Sequence, residues 1–189
     1  IDNVKMSKSL GNFITVHDAL KTIDGQVLRF FFATQHYRKP INFTEKAVRD
    51  AETNLKYLKN TYEQPFSGTV DAQELKAFKD KFVAAMDEDF NSANGITVVF
   101  EMAKWINSGN YDASVKKALA DMLEVFGIVF VEEVLDADIE ALIQKRQEAR
   151  ANRDFATADQ IRDQLAAQGI KLLDTKDGVR WTRDWCQSH

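Results

Sequence analysis

The chain contains very little cysteine or histidine, and each scarcity excludes a class of site. Cys186 is the only cysteine among 189 residues, so no intrachain disulfide can form and the cytosol is the natural compartment. The three histidines, His17, His36 and His189, lie far apart, without the close spacing of a metal site. We therefore assign no metal ligand to this chain.

Long apolar runs are also missing from the sequence. No stretch approaches the roughly 20 residues that a membrane-spanning helix requires, and no signal peptide is visible. We expect a cytoplasmic protein with no membrane partner, and a monomer. The chain opens on Ile1 rather than methionine, directly before a functional-looking loop, and we interpret it as a piece of a longer protein.

Negative charge exceeds positive charge overall, but not at the two ends of the chain. The formal net charge of -4 argues against a protein that binds nucleic acid with its whole surface. Residues 1–69 carry 10 Lys/Arg and 7 Asp/Glu, residues 70–138 carry 6 and 14, and residues 139–189 carry 9 and 8. A polyanion would therefore contact the ends, with the acidic middle facing water or another domain. The alternative is that the acidic helices are simply solvated.

Proline occurs only at Pro40 and Pro65, and apolar residues mostly recur at helical spacing. These features predict a mainly α-helical chain. Thr15 together with Asp18 resembles a helix N-cap, and Asp24 suits the N-cap of a helix from Gln26 to about Gln35.

Four amphipathic stretches follow and predict an antiparallel bundle of four helices over residues 44–130. The first begins at Thr44, residues 64–69 read as a linker, and Asn91 or Ser92 caps the third helix. The predicted apolar stripes are Val48, Ala51, Leu55, Leu58 and Tyr62; Leu75, Phe78, Phe82, Ala85 and Met86; Ile96, Val99, Phe100, Ala103 and Ile106; and Val115, Leu119, Met122, Leu123 and Phe126.

The last 50 residues or so have a different pattern. An apolar stretch over residues 129–134 is expected to connect to two short helices, 139–150 and 154–167, the second ended by Gly169. Two strand-like runs, 171–174 and 179–182, flank an Asp-Gly turn signal and predict a hairpin. The result is a small α+β module.

The most specific motif is the string KMSKS, formed by Lys5, Met6, Ser7, Lys8 and Ser9 and followed by Leu-Gly-Asn. Two lysines three residues apart on a glycine-containing loop can place two ammonium groups around one phosphate chain, while hydroxyl and backbone N–H groups donate hydrogen bonds. The simpler interpretation is an exposed, mobile loop. We favour a nucleotide site, and we expect residues 5–12 to be disordered in this chain.

The motif and the residues after it resemble the class I aminoacyl-tRNA synthetases, whose second signature is KMSKS. The runs VLRFFF at 27–32, HYR at 36–38 and MDEDFN at 86–91 are similar to the cysteinyl-tRNA synthetases, bacterial type. The resemblance implies that residues 5–9 bind ATP, accompanied by Mg²⁺. It also implies that Lys8 is the catalytic lysine most directly tied to ATP and that Lys5 assists.

Guanidinium groups and aromatic rings are interleaved in the last module, a composition typical of single-stranded RNA recognition. They are Arg150, Arg153, Phe155, Arg162, Arg180, Trp181 and Arg183. Resemblance to the anticodon-binding end of the same family implies that Arg150, Asp159 and Asp174 read anticodon bases. It also implies that Phe155 stacks on a base where tryptophan is common. An exposed helix with ion pairs is the alternative for Arg153 and Arg162.

The resemblance implies three parts: a KMSKS loop and helical connector from the catalytic domain (1–43), a DALR-type helical bundle that binds tRNA (44–135), and an α+β anticodon-binding module (136–189). Its implied function is joining cysteine to tRNA(Cys) with ATP, and the family's zinc site is expected only upstream of this chain. Without the upstream pocket, the chain alone is expected to be inactive.

Several other interpretations compete with these. The aromatic run 30–32 is expected to face the core, and Arg29 and Arg38 either reach phosphate or pair with acids. The acids 87–89 could suggest a divalent metal, but we assign them to a helix dipole. Rival functions are a non-catalytic tRNA-binding module, a related cysteine ligase acting on an amino sugar, and a purely structural helical domain.

Overall fold

The computed structural model describes residues 1–131, 137–175 and 178–183. A short 3₁₀ helix, Lys8–Leu10, precedes eight α-helices and two strands in this part of the chain. The helices are α1 (Val16–Ala19), α2 (Gly25–Ala33), α3 (Glu45–Glu63), α4 (Ala72–Asp87), α5 (Ser92–Asn107), α6 (Ala113–Val125), α7 (Ala137–Ala151) and α8 (Phe155–Ala167). The strands are β1 (Ile170–Thr175) and β2 (Gly178–Arg183). The prediction of a mainly helical chain is confirmed.

The chain divides into two compact units, Ile1–Phe130 and Val131–His189. In the first unit, α3 to α6 pack as a bundle in which α5 contacts α3, α4 and α6. The α5 side chains Val99, Met102 and Ile106 are fully buried because α5 is surrounded by helices. Gly95 allows the approach of α4, since a Cβ there would lie 2.8 Å from Met86 Sδ.

The predicted helix starts are confirmed where a side chain supplies the cap. The Asp18 N–H donates to Thr15 Oγ1 at 3.0 Å, and the Gln26 N–H donates to Asp24 Oδ1 at 2.7 Å. Between the two candidates for α5, Asn91 is the cap, since its Oδ1 accepts from the Asn94 N–H at 3.1 Å. These bonds satisfy backbone donors that the first helical turn leaves unpaired.

The connector helix α2 packs against α3 and α5. Phe30 and Phe31 are buried, but Phe32 is 44% exposed, so the prediction of a core-facing run is wrong at Phe32. Three consecutive helical residues point in directions about 100° apart, and the core covers only part of the helix circumference. Because the connector packs on the bundle, residues 1–43 and the bundle form one compact unit.

The second unit consists of α7, α8 and the antiparallel hairpin of β1 and β2. Its core contains Ile139, Ile161, Leu165 and Ile170, with Trp181 packed against them. The hairpin is confirmed, with each strand one residue longer at both ends than predicted. The two residues between the strands, 176–177, lie outside the described residues, as do residues 132–134 of the predicted connector.

The division into 1–43, 44–135 and 136–189 stays a prediction.

Among the described residues, none of the helices is both long and apolar enough to cross a lipid bilayer.

Candidate functional site

The Lys5–Ser9 segment forms a compact loop that Asn12 closes. The Ser7 N–H donates to Asn12 Oδ1 at 2.8 Å, and Asn12 Nδ2 donates to the Lys5 carbonyl oxygen at 3.2 Å. The 3₁₀ turn ends at Gly11, whose φ of 69° lies in the left-handed region that glycine adopts without strain. One amide side chain therefore bridges Lys5 and Ser7, the start and the middle of the lysine-containing segment.

Both lysines of the loop are exposed. Within the described part of the chain neither Lys5 nor Lys8 forms an ion pair with a carboxylate, and Lys8 Nζ lies 5.4 Å from the ring centroid of Phe13. Ser7 Oγ and Ser9 Oγ lie 2.7 Å apart. The loop thus offers two ammonium groups and two hydroxyls to an anion. Its expected disorder stays a prediction, which amide hydrogen exchange over residues 5–9 tests.

A groove of about 740 Å³ lies beside this loop. Lys5 and Met6 of the loop contribute to its lining, which is otherwise mostly apolar and includes Leu28, Phe32 and Phe43. An apolar lining does not suit a phosphate chain, which needs donors and positive charge. The groove is therefore distinct in chemistry from the lysine loop, although the two are adjacent.

The second candidate site is a cluster of charged side chains on α7 and β1. Arg146 donates to Asp174 through both terminal nitrogens, at 2.9 Å and 3.0 Å, and Arg150 Nη1 donates to the same carboxylate. Residues four apart on a helix lie on one face, so both arginines reach the strand that carries Asp174. The structure therefore brings together Arg150 and Asp174, two of the residues expected to read the anticodon.

This arrangement lowers the pKa of Asp174 to about 2, chiefly because of the hydrogen bonds from Arg146, with Arg150 contributing further. Partial burial acts in the opposite direction. The pKa of Arg146 is raised, first by the hydrogen bonds with Asp174, and Asp159 adds a smaller electrostatic contribution. At neutral pH the Asp174 carboxyl is therefore ionised and places a negative charge between the guanidinium groups of Arg146 and Arg150.

The other two expected anticodon residues lie on α8. Phe155 is 62% exposed at the helix start, so its ring is available for stacking. Asp159, one turn later, is exposed and lies 3.3 Å from Arg162. That contact matches the ion-paired interpretation of Arg162. For Arg180 and Arg183 the structure describes the strand but not the side chains.

Three family models match separate parts of the chain. The first, described as the catalytic domain of class I (C) tRNA synthetases, matches residues 1–53. A DALR domain matches residues 81–132, and the cysteinyl-tRNA ligase anticodon binding domain matches residues 132–181.

Curated relatives agree with these matches. Over 184 residues the chain is 94% identical to a cysteine–tRNA ligase of Streptococcus pneumoniae serotype 4, 78% identical to one of Streptococcus mutans serotype c and 74% identical to one of Streptococcus agalactiae serotype III. Each alignment covers 97% of this chain and 41% of the relative. The chain belongs to the cysteinyl-tRNA synthetase family. It spans about two fifths of the length of these family members.

Two positions that support the candidate sites of this chain were not singled out from sequence. Asn12 follows the signature, but its side-chain bonds to Ser7 and Lys5 depend on the turn at Gly11. Arg146 lies four residues before Arg150, and this spacing, which places two like charges on one helix face, was the available signal.

The remaining charged candidates pair within the first unit. Arg38 contacts Asp89 at 2.9 Å, and Arg29 donates to the Gly127 carbonyl oxygen at 3.3 Å. The interpretation of Arg38 as the partner of an acid therefore agrees with the structure. Among the described residues, no group of three or more His, Cys, Asp or Glu side chains could hold a metal ion.

Proposed function

We propose that the chain is the C-terminal part of a cytoplasmic cysteine–tRNA ligase. The enzyme activates cysteine with ATP and transfers the cysteinyl group to tRNA(Cys). The observation that carries the proposal is the closed KMSKS loop with two exposed lysines, on the same chain as a match to the anticodon binding domain. The enzyme acts as a monomer, Mg²⁺ accompanies ATP, and zinc binds only in the part of the enzyme that this chain does not contain.

In the first step a cysteine carboxylate oxygen attacks the α-phosphorus of ATP, and the bond to pyrophosphate breaks. Negative charge accumulates on the leaving pyrophosphate, where Lys8 and Lys5 stabilise it. Met6, Ser7 and Ser9 complete the loop that closes over ATP. In the second step the 3′ end of the tRNA accepts the cysteinyl group and AMP leaves.

The second unit would select the tRNA through its anticodon. Arg150 and Asp174 offer donors and acceptors to base edges, Asp159 offers a further carboxylate, and Phe155 offers an exposed ring for stacking. The exposure of Phe155, Asp159 and Arg150 supports this assignment.

The test of the ATP loop uses a full-length protein in which this chain replaces the matching region of the Streptococcus pneumoniae relative. Cysteine-dependent exchange of pyrophosphate into ATP should fall by about 100-fold in Lys8→Gln, and less in Lys5→Gln, since removed transition-state donors typically cost that much. Lys46→Gln is the control, because Lys46 is an exposed lysine paired with Asp50 on α3. Exchange in Lys8→Gln equal to that of the control would contradict the proposal.

The chain alone is proposed to act as a non-catalytic tRNA-binding module. One loop cannot position cysteine and ATP, so isolated chain should bind tRNA without pyrophosphate exchange. Cysteine-dependent exchange by the isolated chain would contradict this part of the proposal.

A further inference from the structure

Arg146 is an unusual residue in the second unit because it is charged and only 5% exposed. A buried charge is costly unless it is paired and hydrogen-bonded. The pairing partner is Asp174, whose two carboxylate oxygens accept from the two terminal nitrogens of Arg146. This end-on geometry leaves the buried Nε of Arg146 without an acceptor in the described part of the chain.

The unpaired Nε indicates that this arrangement is not optimal for stability. An unsatisfied buried donor is costly, and buried ion pairs can often be replaced by apolar residues without loss of stability. Both terminal nitrogens of Arg146 are nevertheless committed to the Asp174 carboxylate. Besides any stability it adds, this contact gives Asp174 a fixed orientation.

The same carboxylate holds Arg150 on its outer side. Asp174 Oδ2 accepts from Arg146 Nη2 at 3.0 Å and also from Arg150 Nη1. The Arg150 side chain is 45% exposed, whereas that of Arg146 is 6% exposed. The contacts therefore run from the buried Arg146 to the half-exposed Asp174 and Arg150, which are the members placed to meet RNA.

We propose that Arg146 is a positioning residue for base recognition: it fixes Asp174, which in turn orients the guanidinium of Arg150 toward an unpaired base. Arg146 itself does not contact RNA. The inference rests on the proposed anticodon-reading function. An oriented guanidinium discriminates between base edges, whereas an unoriented one contributes mainly charge.

The test measures dissociation constants of the chain for a tRNA with the anticodon GCA and for the same tRNA with one anticodon base changed. The specificity ratio is the dissociation constant for the changed tRNA divided by that for the GCA tRNA. Arg146→Met should lower this ratio by about 10-fold, a loss typical of residues that orient ligating groups. Lys145→Met is the matched control, because it removes a positive charge from the adjacent, exposed position on α7. It should weaken both complexes equally and leave the ratio unchanged.

A double-variant cycle separates positioning from a structural role. Because Arg146 acts through Arg150, Arg146→Met combined with Arg150→Met should discriminate no worse than Arg150→Met alone. Arg146→Lys keeps the charge but not the two-pronged contact, so it should restore overall affinity without restoring the ratio. Thermal melting followed by circular dichroism identifies any variant that fails to fold. If Arg146→Met does not fold, the specificity ratio of Arg146→Lys is compared with that of Arg150→Met instead.

The outcomes distinguish the inference from the proposed function. A wild-type ratio above one that falls in Arg150→Met but not in Arg146→Met overturns the positioning role and leaves anticodon reading intact. The positioning role is also overturned if the double variant loses discrimination by the sum of the losses in the two single variants, expressed as free energies. A wild-type ratio of one overturns the anticodon-reading proposal, and the positioning role with it.

Discussion

Asn12 Oδ1 lies 2.8 Å from the Ser7 backbone nitrogen and accepts its hydrogen bond, while Asn12 Nδ2 reaches the Lys5 carbonyl oxygen at 3.2 Å. A single side chain thus provides the hydrogen-bond partners of the Ser7 N–H and the Lys5 carbonyl oxygen. The loop's shape depends on a residue outside the five-residue signature.

Replacing Asn12 should therefore affect catalysis although Asn12 carries no charge. In the full-length chimaeric protein, Asn12→Ala should slow cysteine-dependent pyrophosphate exchange by about 10-fold, because the two lysines are no longer held in one arrangement. Asn12→Asp retains the acceptor for the Ser7 N–H, but it loses the donor to the Lys5 carbonyl oxygen and adds a negative charge beside the two lysines, so it should also slow the exchange. Equal rates for wild type and Asn12→Ala would show that the bridge is not required.

The Asp174 cluster predicts a pH dependence of stability for the second unit. The pKa of Asp174 is about 2 in the folded chain, below the ordinary value of about 3.9. A lowered carboxyl pKa adds stability that is fully present above pH 4 and is lost as the pH falls toward 2. Urea unfolding, followed through amide signals of α8, should show wild type more stable than Asp174→Asn at pH 5, with the difference narrowing between pH 4 and pH 2. A difference in free energy of unfolding that stays constant between pH 4 and pH 2 would contradict the lowered pKa of Asp174.

Local features of this chain were predictable from sequence, and long-range contacts were not. Thr15, Asp24 and Asn91 cap helices because each acts on donors two or three residues away. The Arg146–Asp174 pair joins residues 28 positions apart, and no periodicity predicts that β1 returns to that face of α7.

The aromatic run on α2 shows a second kind of limit. Sequence identifies Phe30, Phe31 and Phe32 as apolar, but which of them is buried depends on where α3 and α5 cover the helix. The KMSKS signature is recognisable from sequence because its chemistry is contained in five consecutive residues. Its closing residue was missed because that role appears only in the folded turn.

Gly68 should be intolerant of any side chain. Its φ is 70°, and a Cβ there would lie 1.6 Å from the Gly109 carbonyl oxygen, next to the backbone bridge between Ser67 and Tyr111. Gly68→Ala should lower the free energy of unfolding of the first unit by about 3 kcal/mol, combining backbone strain and steric overlap. Gly109→Ala is the control: its φ is 104°, but nothing lies within 4 Å of the added Cβ. If chemical denaturation shows that Gly68→Ala and Gly109→Ala lose the same free energy of unfolding, the steric argument is contradicted.

Phe90 is strained and gains little from burial. Its φ is 51°, following Asp89 at 58°, and its side chain is 76% exposed. A bulky residue in the left-handed region costs about 1–2 kcal/mol, whereas asparagine adopts it more readily. Phe90→Asn should therefore raise the free energy of unfolding by about 0.5–1 kcal/mol, and Phe90→Ala, which keeps most of the strain, should not. A loss of stability in Phe90→Asn would show that the ring makes a contribution that its exposure does not suggest.

The most direct test of the central claim is binding of this chain to tRNA bearing the GCA anticodon, beside the same tRNA with altered anticodon bases, across a salt series. We expect a preference for GCA that persists while added salt weakens both complexes. The preference should be smaller in each of the variants Arg150→Ala, Asp159→Ala and Phe155→Ala, and unchanged in Lys145→Ala. Equal affinity for all anticodons, or no binding at any salt concentration, would contradict the claim that the second unit reads the anticodon.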